Sequence, residues 1–346
     1  VHGTIYEFEA LPHFRRKGTG AAPLVESYVP QGPTAPLVGI VRNPRSHRNK
    51  GRPAELADCP NILTETPKSR EALRESLLEF AERGVDYLVI DGGDGTVRDV
   101  LTCGAEIFGE AWPALIVLPK GKTNALAVDL GLPNHWSLAE ALVAARAGGT
   151  VQRRPMRIAP AGQEGCALGF FLGAGAFTLG TEIGQEAHRR GAYNSFAVGL
   201  IVAWSVIQAL LGRAGNPWRA GTRMRFRERA TGRELPRTGP GAADERFLVA
   251  ISTFQKLPLG IRLFGRNPPP GIKLTLVDAP VRWLLMLAPV ILLGWLPRFV
   301  QRAGMRYATA QALDFELGGA FVLDGEVFPA GHYLLEEGPQ LTFVVP

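Results

Sequence analysis

Apolar positions along this chain follow two different rhythms, and the change falls near residue 150. Before it, short apolar runs alternate with stretches in which apolar residues recur every three or four positions. The runs Leu37-Val38-Gly39-Ile40-Val41, Asn61-Ile62-Leu63-Thr64, Tyr87-Leu88-Val89-Ile90 and Ala114-Leu115-Ile116-Val117-Leu118 predict strands. Leu73, Leu77, Leu78 and Phe80 mark one face of a helix over 69–83, opened by cap chemistry in Thr66-Pro67-Lys68-Ser69 and closed by Gly84. Helices over 97–108 and 136–147 follow, the last punctuated by Gly148-Gly149. Strands alternating with helices predict an α/β doubly wound parallel sheet over 37–150.

Beyond 150 the segments are short and alternate in polarity: Gly169-Phe170-Phe171-Leu172, Arg223 to Arg227, Phe247 to Ile251 and Ile272 to Val277. With Gly and Pro in the turns between them, they predict an antiparallel β domain over 151–336. Two apolar segments interrupt it. One, between Arg190 and Arg213, is diluted by Asn194, Ser195, Ser205 and Gln208. The other holds 15 uncharged residues between Arg282 and Arg298, with Trp283 and Trp295 near its ends. Such a helix would rise only ~22 Å, short of a hydrocarbon core of ~30 Å. Trp and Arg at the flanks suit a membrane interface, so docking on a bilayer and packing into the β domain are both open. Residues 1–36, rich in Pro and Gly with a basic Arg15-Arg16-Lys17 patch, read as a poorly ordered extension.

Composition narrows the class. At 346 residues, 46% hydrophobic and 20% charged, the chain is globular and long enough for two domains. A net charge of +6, with arginines beside apolar runs, suits a nucleotide polyphosphate or an anionic membrane surface. No basic block interleaved with aromatics points to nucleic acid. Cys59, Cys103 and Cys166 are too few and too scattered for a disulfide framework or a zinc motif. With no apolar run at the start, the expected place is the cytoplasm, peripheral to the membrane's cytoplasmic face.

The candidate chemistry lies where strands end, the edge at which open α/β sheets bind ligands. After Ile90 come Asp91-Gly92-Gly93-Asp94-Gly95-Thr96. The glycines strip the turn of Cβ atoms, so backbone N–H groups and a helix start near Thr96 could close on an anion. A capped strand-to-helix turn explains the same residues. The loop Arg42-Asn43-Pro44-Arg45-Ser46-His47 after the first strand reads as a second phosphate-facing loop or a surface turn. Pro119-Lys120-Gly121-Lys122-Thr123-Asn124 follows the fourth strand. Late in the chain, Asp324-Gly325-Glu326 sets two carboxylates on one side of an extended segment. They form either a solvated hairpin turn or a general base and its partner.

In this order and spacing the four motifs resemble the diacylglycerol kinase catalytic family, which includes bacterial lipid kinases, sphingosine kinases and ceramide kinases. Asn43-Pro44-Arg45-Ser46-His47 is similar to its Asn-Pro-x-Ser-Gly loop, and Gly92-Gly93-Asp94-Gly95-Thr96 matches its signature in full. Pro119 to Ala127, then Leu130-Gly131-Leu132-Pro133, is similar to its third loop, and Asp324-Gly325-Glu326 to its late Asp-Gly-Glu. There are departures. His47 replaces a glycine, and Lys122 replaces a nucleotide-contacting Thr. Arg98-Asp99 replaces Asn-Glu. Pro270-Gly271-Ile272 stands where the family often has an Asp-Gly that contributes to a structural Mg²⁺ site.

The resemblance implies a nucleotide-binding catalytic domain followed by an antiparallel β-sandwich that binds lipid, with 337–346 returning to the first domain. It implies an ATP-dependent lipid kinase using Mg²⁺, with diacylglycerol, a sphingoid base or ceramide as acceptor at a membrane surface. Nucleotide would contact Asn43, Pro44, Arg45, Ser46, His47, Thr66, Gly92, Gly93, Asp94, Gly95, Thr96, Gly121, Lys122, Thr123 and Asn124. Asp94 would position Mg²⁺ through water, and Glu326, assisted by Asp324, would take the acceptor's proton. Two alternatives stay open: a non-catalytic lipid-binding or regulatory module of the same fold, and an NAD kinase-like enzyme with a soluble substrate.

Overall fold

The strands β1 (Val38–Arg42), β2 (Ile62–Glu65), β3 (Tyr87–Gly92) and β4 (Ala114–Pro119) pair in parallel, in the order β2-β1-β3-β4. The computed structural model describes residues 35–346 apart from 57, 179–219 and 280, so all but the last two residues of the extension read over 1–36, and the apolar stretch between Arg190 and Arg213, lie outside the described residues. Every residue of β1 is buried, as expected for a strand covered on both faces. Helix α1 (Arg70–Glu82) is capped by Ser69, whose hydroxyl accepts from the Ala72 N–H at 3.1 Å, and it buries Leu73, Leu77 and Phe80. Helix α2 (Asp94–Phe108) lies against α1 and β3.

Two expectations are corrected here. The sheet is mixed at its far edge: β18 (Leu341–Val344) enters parallel to β4, and β5 (Thr150–Arg153) runs antiparallel beyond it. The cause is a helix the apolar pattern did not show. Two helices, α3 (Ala125–Leu130) and α4 (Leu138–Arg146), follow β4 and return the chain to the edge it left, so the next strand runs down instead of up. The turn after β3 is also tighter than its glycines suggest. β3 continues through Gly92 and α2 opens at Asp94, not near Thr96, leaving Gly93 alone between them.

The rest of the chain forms two antiparallel six-stranded sheets. One holds β10 (Glu245–Arg246), β9 (Thr222–Glu228), β14 (Ala312–Leu317), β17 (Gly331–Glu337), β6 (Met156–Pro160) and β7 (Ala167–Gly169), in that order. The other is ordered β13 (Met305–Ala310), β12 (Ile272–Val277), β11 (Leu248–Ser252), β8 (Phe171–Gly175), β15 (Phe321–Leu323) and β16 (Glu326–Phe328). Phe226, Phe315 and Tyr333 from the first share one buried core with Leu274, Leu276 and Phe321 from the second. The 15-residue apolar segment folds into short helices, α5 (Arg282–Met286) and α6 (Ala288–Leu292), with α7 (Arg298–Arg302) after it. Leu284, Ile291 and Val300 pack inward with Met305, while Met286, Leu293, Trp295 and Phe299 stay exposed. No helix among the described residues is long and apolar enough to cross a membrane.

Three ties join the halves. The Thr102 hydroxyl on α2 accepts from the Leu168 N–H at 3.0 Å. Asp129 on α3, fully buried, accepts from Arg153 and from the Gln255 and Lys256 N–H groups. Phe170 sits in the core of the parallel sheet, stacked on Phe254 and edge-on to Phe343 of β18. Because Phe343 is 0% exposed and fills the gap between β4 and β5, Phe343→Ala should cost about 3–5 kcal/mol, read by urea unfolding. A loss below about 1 kcal/mol would show that the last strand contributes little to the sheet.

Candidate functional site

The strand order reverses direction between β1 and β3, and the loops that follow these two strands meet at that point. The Asn43 N–H donates to the Asp91 carbonyl at 3.0 Å, and its side-chain amide donates to the Thr96 hydroxyl at 2.9 Å. Asn49 ties the same loop to Asp91 through its side-chain amide, which reaches the Asn43 carbonyl and both a carbonyl and a carboxylate oxygen of Asp91. The loop after β4 is bonded in turn: the Lys120 N–H donates to the Gly92 carbonyl at 3.0 Å, and the Arg48 N–H to the Lys120 carbonyl at 3.1 Å.

Contact between the glycine-rich turn and the loop after β4 is at backbone level. A Cβ on Gly93 would lie 2.9 Å from the Gly121 Cα, and one on Gly121 would lie 2.8 Å from the Gly93 Cα. Close approach is therefore what these glycines provide. The third loop turns through Asn124 in the left-handed region, φ +51°. Its carboxamide accepts from the Gly121 N–H and donates back to the Gly121 carbonyl. As Asn124 supplies no cap to α3, the cap comes from Asp94. Its carboxylate accepts from the Ala125 N–H at 2.9 Å and the Leu126 N–H at 3.3 Å.

A second wall comes from the antiparallel sheets. Asp324 and Gly325 form the two-residue turn between β15 and β16, with φ +44° and +87°. That is the primed turn for which Asp-Gly is favoured. The Asp324 carboxylate accepts from the Phe170 and Phe171 N–H groups at 2.8 and 2.9 Å. Glu326 opens β16 and is 4% exposed. Facing it from α2 is Arg98, one turn after Asp94 and 1% exposed, whose guanidinium lies 2.6 Å from Asp99 and 3.9 Å from Glu326.

The fifteen candidate contact residues and the late acids thus fall into different places. Asn43, Ser46, Thr96 and Asn124 are buried and shape the loops, while Pro44, Arg45, His47, Lys122 and Thr123 are exposed along their rims. Gly92 is buried and Gly93, Gly95 and Gly121 partly so. Thr66 lies exposed one residue past β2, at the same edge of the sheet. Asp94, Asp324 and Glu326 come together across the junction of the two halves. Among the described residues, no group of three or more His, Cys, Asp or Glu is arranged to hold a metal ion. The Arg98–Glu326 approach was not anticipated. Its signal was the departure Arg98-Asp99 just past the glycines, a cation on the face of α2 that also carries Asp94.

Residues 41–158 match the family model of the diacylglycerol kinase catalytic domain. Over that stretch the chain is similar to the diacylglycerol kinase catalytic family. A protein named probable lipid kinase YegS from Escherichia fergusonii is 33% identical over 108 residues, 31% of this chain and 34% of that protein. Its namesake in Shigella flexneri is 31% identical over the same length. The match spans about a third of the length of these curated relatives. A solved diacylglycerol kinase from Bacillus anthracis covers 89% of this chain and 96% of its own at a TM-score of 0.60 and 17% identity, a likeness of fold that extends through both halves.

At the junction of the matched stretch with the antiparallel sheets, the acids are strongly perturbed. Burial raises Asp94 above the ordinary carboxylate range, against the N–H groups of Ala125 and Leu126. Asp324 is pushed up to about 7, first by burial and then by the charge of Asp94, against the Phe170 N–H. Burial opposes the charge on Arg98, but Asp99, Glu326 and Asp324 more than offset it. An acid whose folded pKa lies above its ordinary 3.8 binds more protons folded than unfolded between about pH 4 and 7. Its contribution to stability therefore falls as pH rises through that window. Asp324→Asn should flatten this decline in urea unfolding, whatever its absolute stability. An unchanged slope would show that Asp324 is ionised throughout.

Proposed function

We propose that the chain is an ATP-dependent lipid kinase, transferring the γ-phosphoryl of ATP to a hydroxyl of diacylglycerol, a sphingoid base or ceramide. One observation carries this reading. Two carboxylates of the antiparallel sheets, Asp324 and Glu326, meet the first turns of α2 just where the glycine-rich turn ends. The names of the relatives, lipid kinase and diacylglycerol kinase, favour the same acceptor class.

The three loops would hold the nucleotide. Backbone N–H groups at the start of α2 would face a polyphosphate across a turn that carries no Cβ at Gly93, Gly95 or Gly121. The Ser46 hydroxyl is buried with no hydrogen-bond partner among the described residues, which suits a donor directed at a phosphate oxygen. Arg45, His47 and Lys122 on the rims would screen its charge, and Thr66 would reach it from the loop after β2. Magnesium, when bound, would neutralise charge on the transferring group. The hard oxygen donors of Asp94 fit such an ion held through water, because both carboxylate oxygens already accept backbone N–H groups and keep lone pairs to spare.

Glu326 would take the proton from the acceptor hydroxyl, and Arg98 would hold it in place and ionised. Asp324, fixed by two backbone N–H groups, would position the turn that presents Glu326. The lipid would reach this wall from a bilayer touched by the exposed aromatic surface of Trp283, Trp295 and Phe299, where the Phe299 ring lies 5.8 Å from Trp283 and 6.0 Å from Trp295.

The test is transfer of label from γ-labelled ATP to diacylglycerol, ceramide, sphingosine and monoacylglycerol, each presented in mixed vesicles. Label should enter the organic-extractable fraction with at least one lipid. Label confined to water-soluble product would point to a soluble acceptor such as NAD. No transfer to any acceptor would favour a non-catalytic module.

A further inference from the structure

The apolar pattern of the antiparallel half fails at one edge, and it fails in three strands at once. On β12, Ile272, Leu274 and Leu276 point into the core between the sheets, and the next residue in that series is Asp278. On β13, Arg306 stands opposite Leu276, which places its side chain on the same inner face, in line with Ala308 and Ala310. On the other sheet, Met224 and Phe226 of β9 face inward, and Arg246 stands opposite Thr222 in the same row. The core therefore gives way at this edge to one carboxylate and two facing guanidiniums, one from each sheet. A third, Arg237, arrives from the connection between β9 and β10.

The carboxylate is already occupied. Asp278 accepts from Arg246 and from the Thr238 and Gly239 N–H groups at 2.8 and 2.9 Å. Arg246, 3% exposed, spends another nitrogen on the Leu235 carbonyl at 2.7 Å and keeps its Nε buried without a partner among the described residues. Arg237 donates to the carbonyls of Ala242, Glu245 and Pro240 and leaves its own Nε buried and unpaired. Arg306 leaves both Nε and Nη2 in the same condition. Burial, and then the neighbouring Arg306 and Arg237, act against the charge on Arg246, with Asp278 as the counterweight. Among the described residues, three guanidiniums facing one carboxylate leave two positive charges without a counterion. Buried charges are otherwise paired, and an arginine fork matches the oxygens of a phosphate.

We propose that Arg237, Arg246 and Arg306 form an anion site at the open edge of the paired sheets, taking a phosphate or phosphate-monoester group. It is separate from the loops at the end of the parallel strands. It lies beside the exposed aromatic surface: the Thr238 hydroxyl donates to the Gln301 carbonyl in α7, the helix that carries Phe299. A phospholipid headgroup and a free phosphate compound both have the required chemistry.

Thermal unfolding of the whole chain in inorganic phosphate, against sodium chloride at equal ionic strength and pH, tests the site. Phosphate should raise the wild-type Tm saturably. Arg306→Gln, which removes one of the like charges, should melt above wild type in chloride and lose the phosphate response, while Arg306→Lys keeps part of it. Phosphate held in the nucleotide loops would leave the response intact in Arg306→Gln. That result, or no response in wild type, overturns the proposal. Flotation with phosphatidylcholine vesicles, with and without phosphatidic acid, then separates the sources. Loss of acidic-vesicle binding alongside the phosphate response supports a headgroup ligand, and retained vesicle binding supports a soluble phosphate at the same site.

Discussion

The Asp94 carboxylate holds two helix starts together. It belongs to the first turn of α2, yet its oxygens accept the leading N–H groups of α3, thirty-one and thirty-two positions along the chain. With Gly93 and Gly121 touching through their backbones, this fixes the glycine-rich turn and the third loop as one rigid body. Asn43, bonded to Thr96 and Asp91, adds the first loop to it. Neither glycine could carry a side chain without parting the loops, and an Asn at 94 would offer one acceptor oxygen where the carboxylate offers each N–H its own. The edge of the sheet where the three loops gather depends on this clamp.

The second constraint is electrostatic. Burying Asp94, Asp324 and Glu326 near one another is costly, and it raises Asp94 and Asp324. Arg98, wholly buried among them, is the compensating charge and sits on the helix that Asp94 begins. The antiparallel half reaches this point because Leu168 bonds to Thr102 on the same helix and Asp129 anchors the chain at Gln255 and Lys256. Helix α2 thus serves as a common support, meeting the three loops at its start and the late acids one turn further on. Perturbed acids gathered at such a junction are what proton-transfer chemistry requires.

Much of this could be read from the chain. Unbroken runs such as Leu37 to Val41 showed the buried parallel strands, since a strand covered on both faces has no polar side. Asp324-Gly325 showed its hairpin, because few residue pairs accept two positive φ values. Other features could not be read locally. Helix α3 is six residues long and capped from a distant carboxylate, so neither its periodicity nor its own N-cap announces it. Asp94 read as an acid beside its own helix, whereas its bonds are to another. The residues from Trp283 to Pro297 looked like one apolar helix, but Pro289 and Gly294 break them into short pieces with one face packed and one exposed. The Arg98 contact and the arginines at the sandwich edge depend on strand pairings between residues far apart in the sequence, which no local pattern encodes.

The central claim is that loops and acids have separate duties, the loops holding nucleotide and Glu326 activating the acceptor. Measuring nucleotide affinity and phosphoryl transfer side by side in Glu326→Gln separates them. The account predicts affinity close to wild type with transfer to lipid reduced by about 10²–10⁴-fold, the usual worth of a positioned general base. Transfer at the wild-type rate, or loss of nucleotide binding with the fold intact, would contradict it.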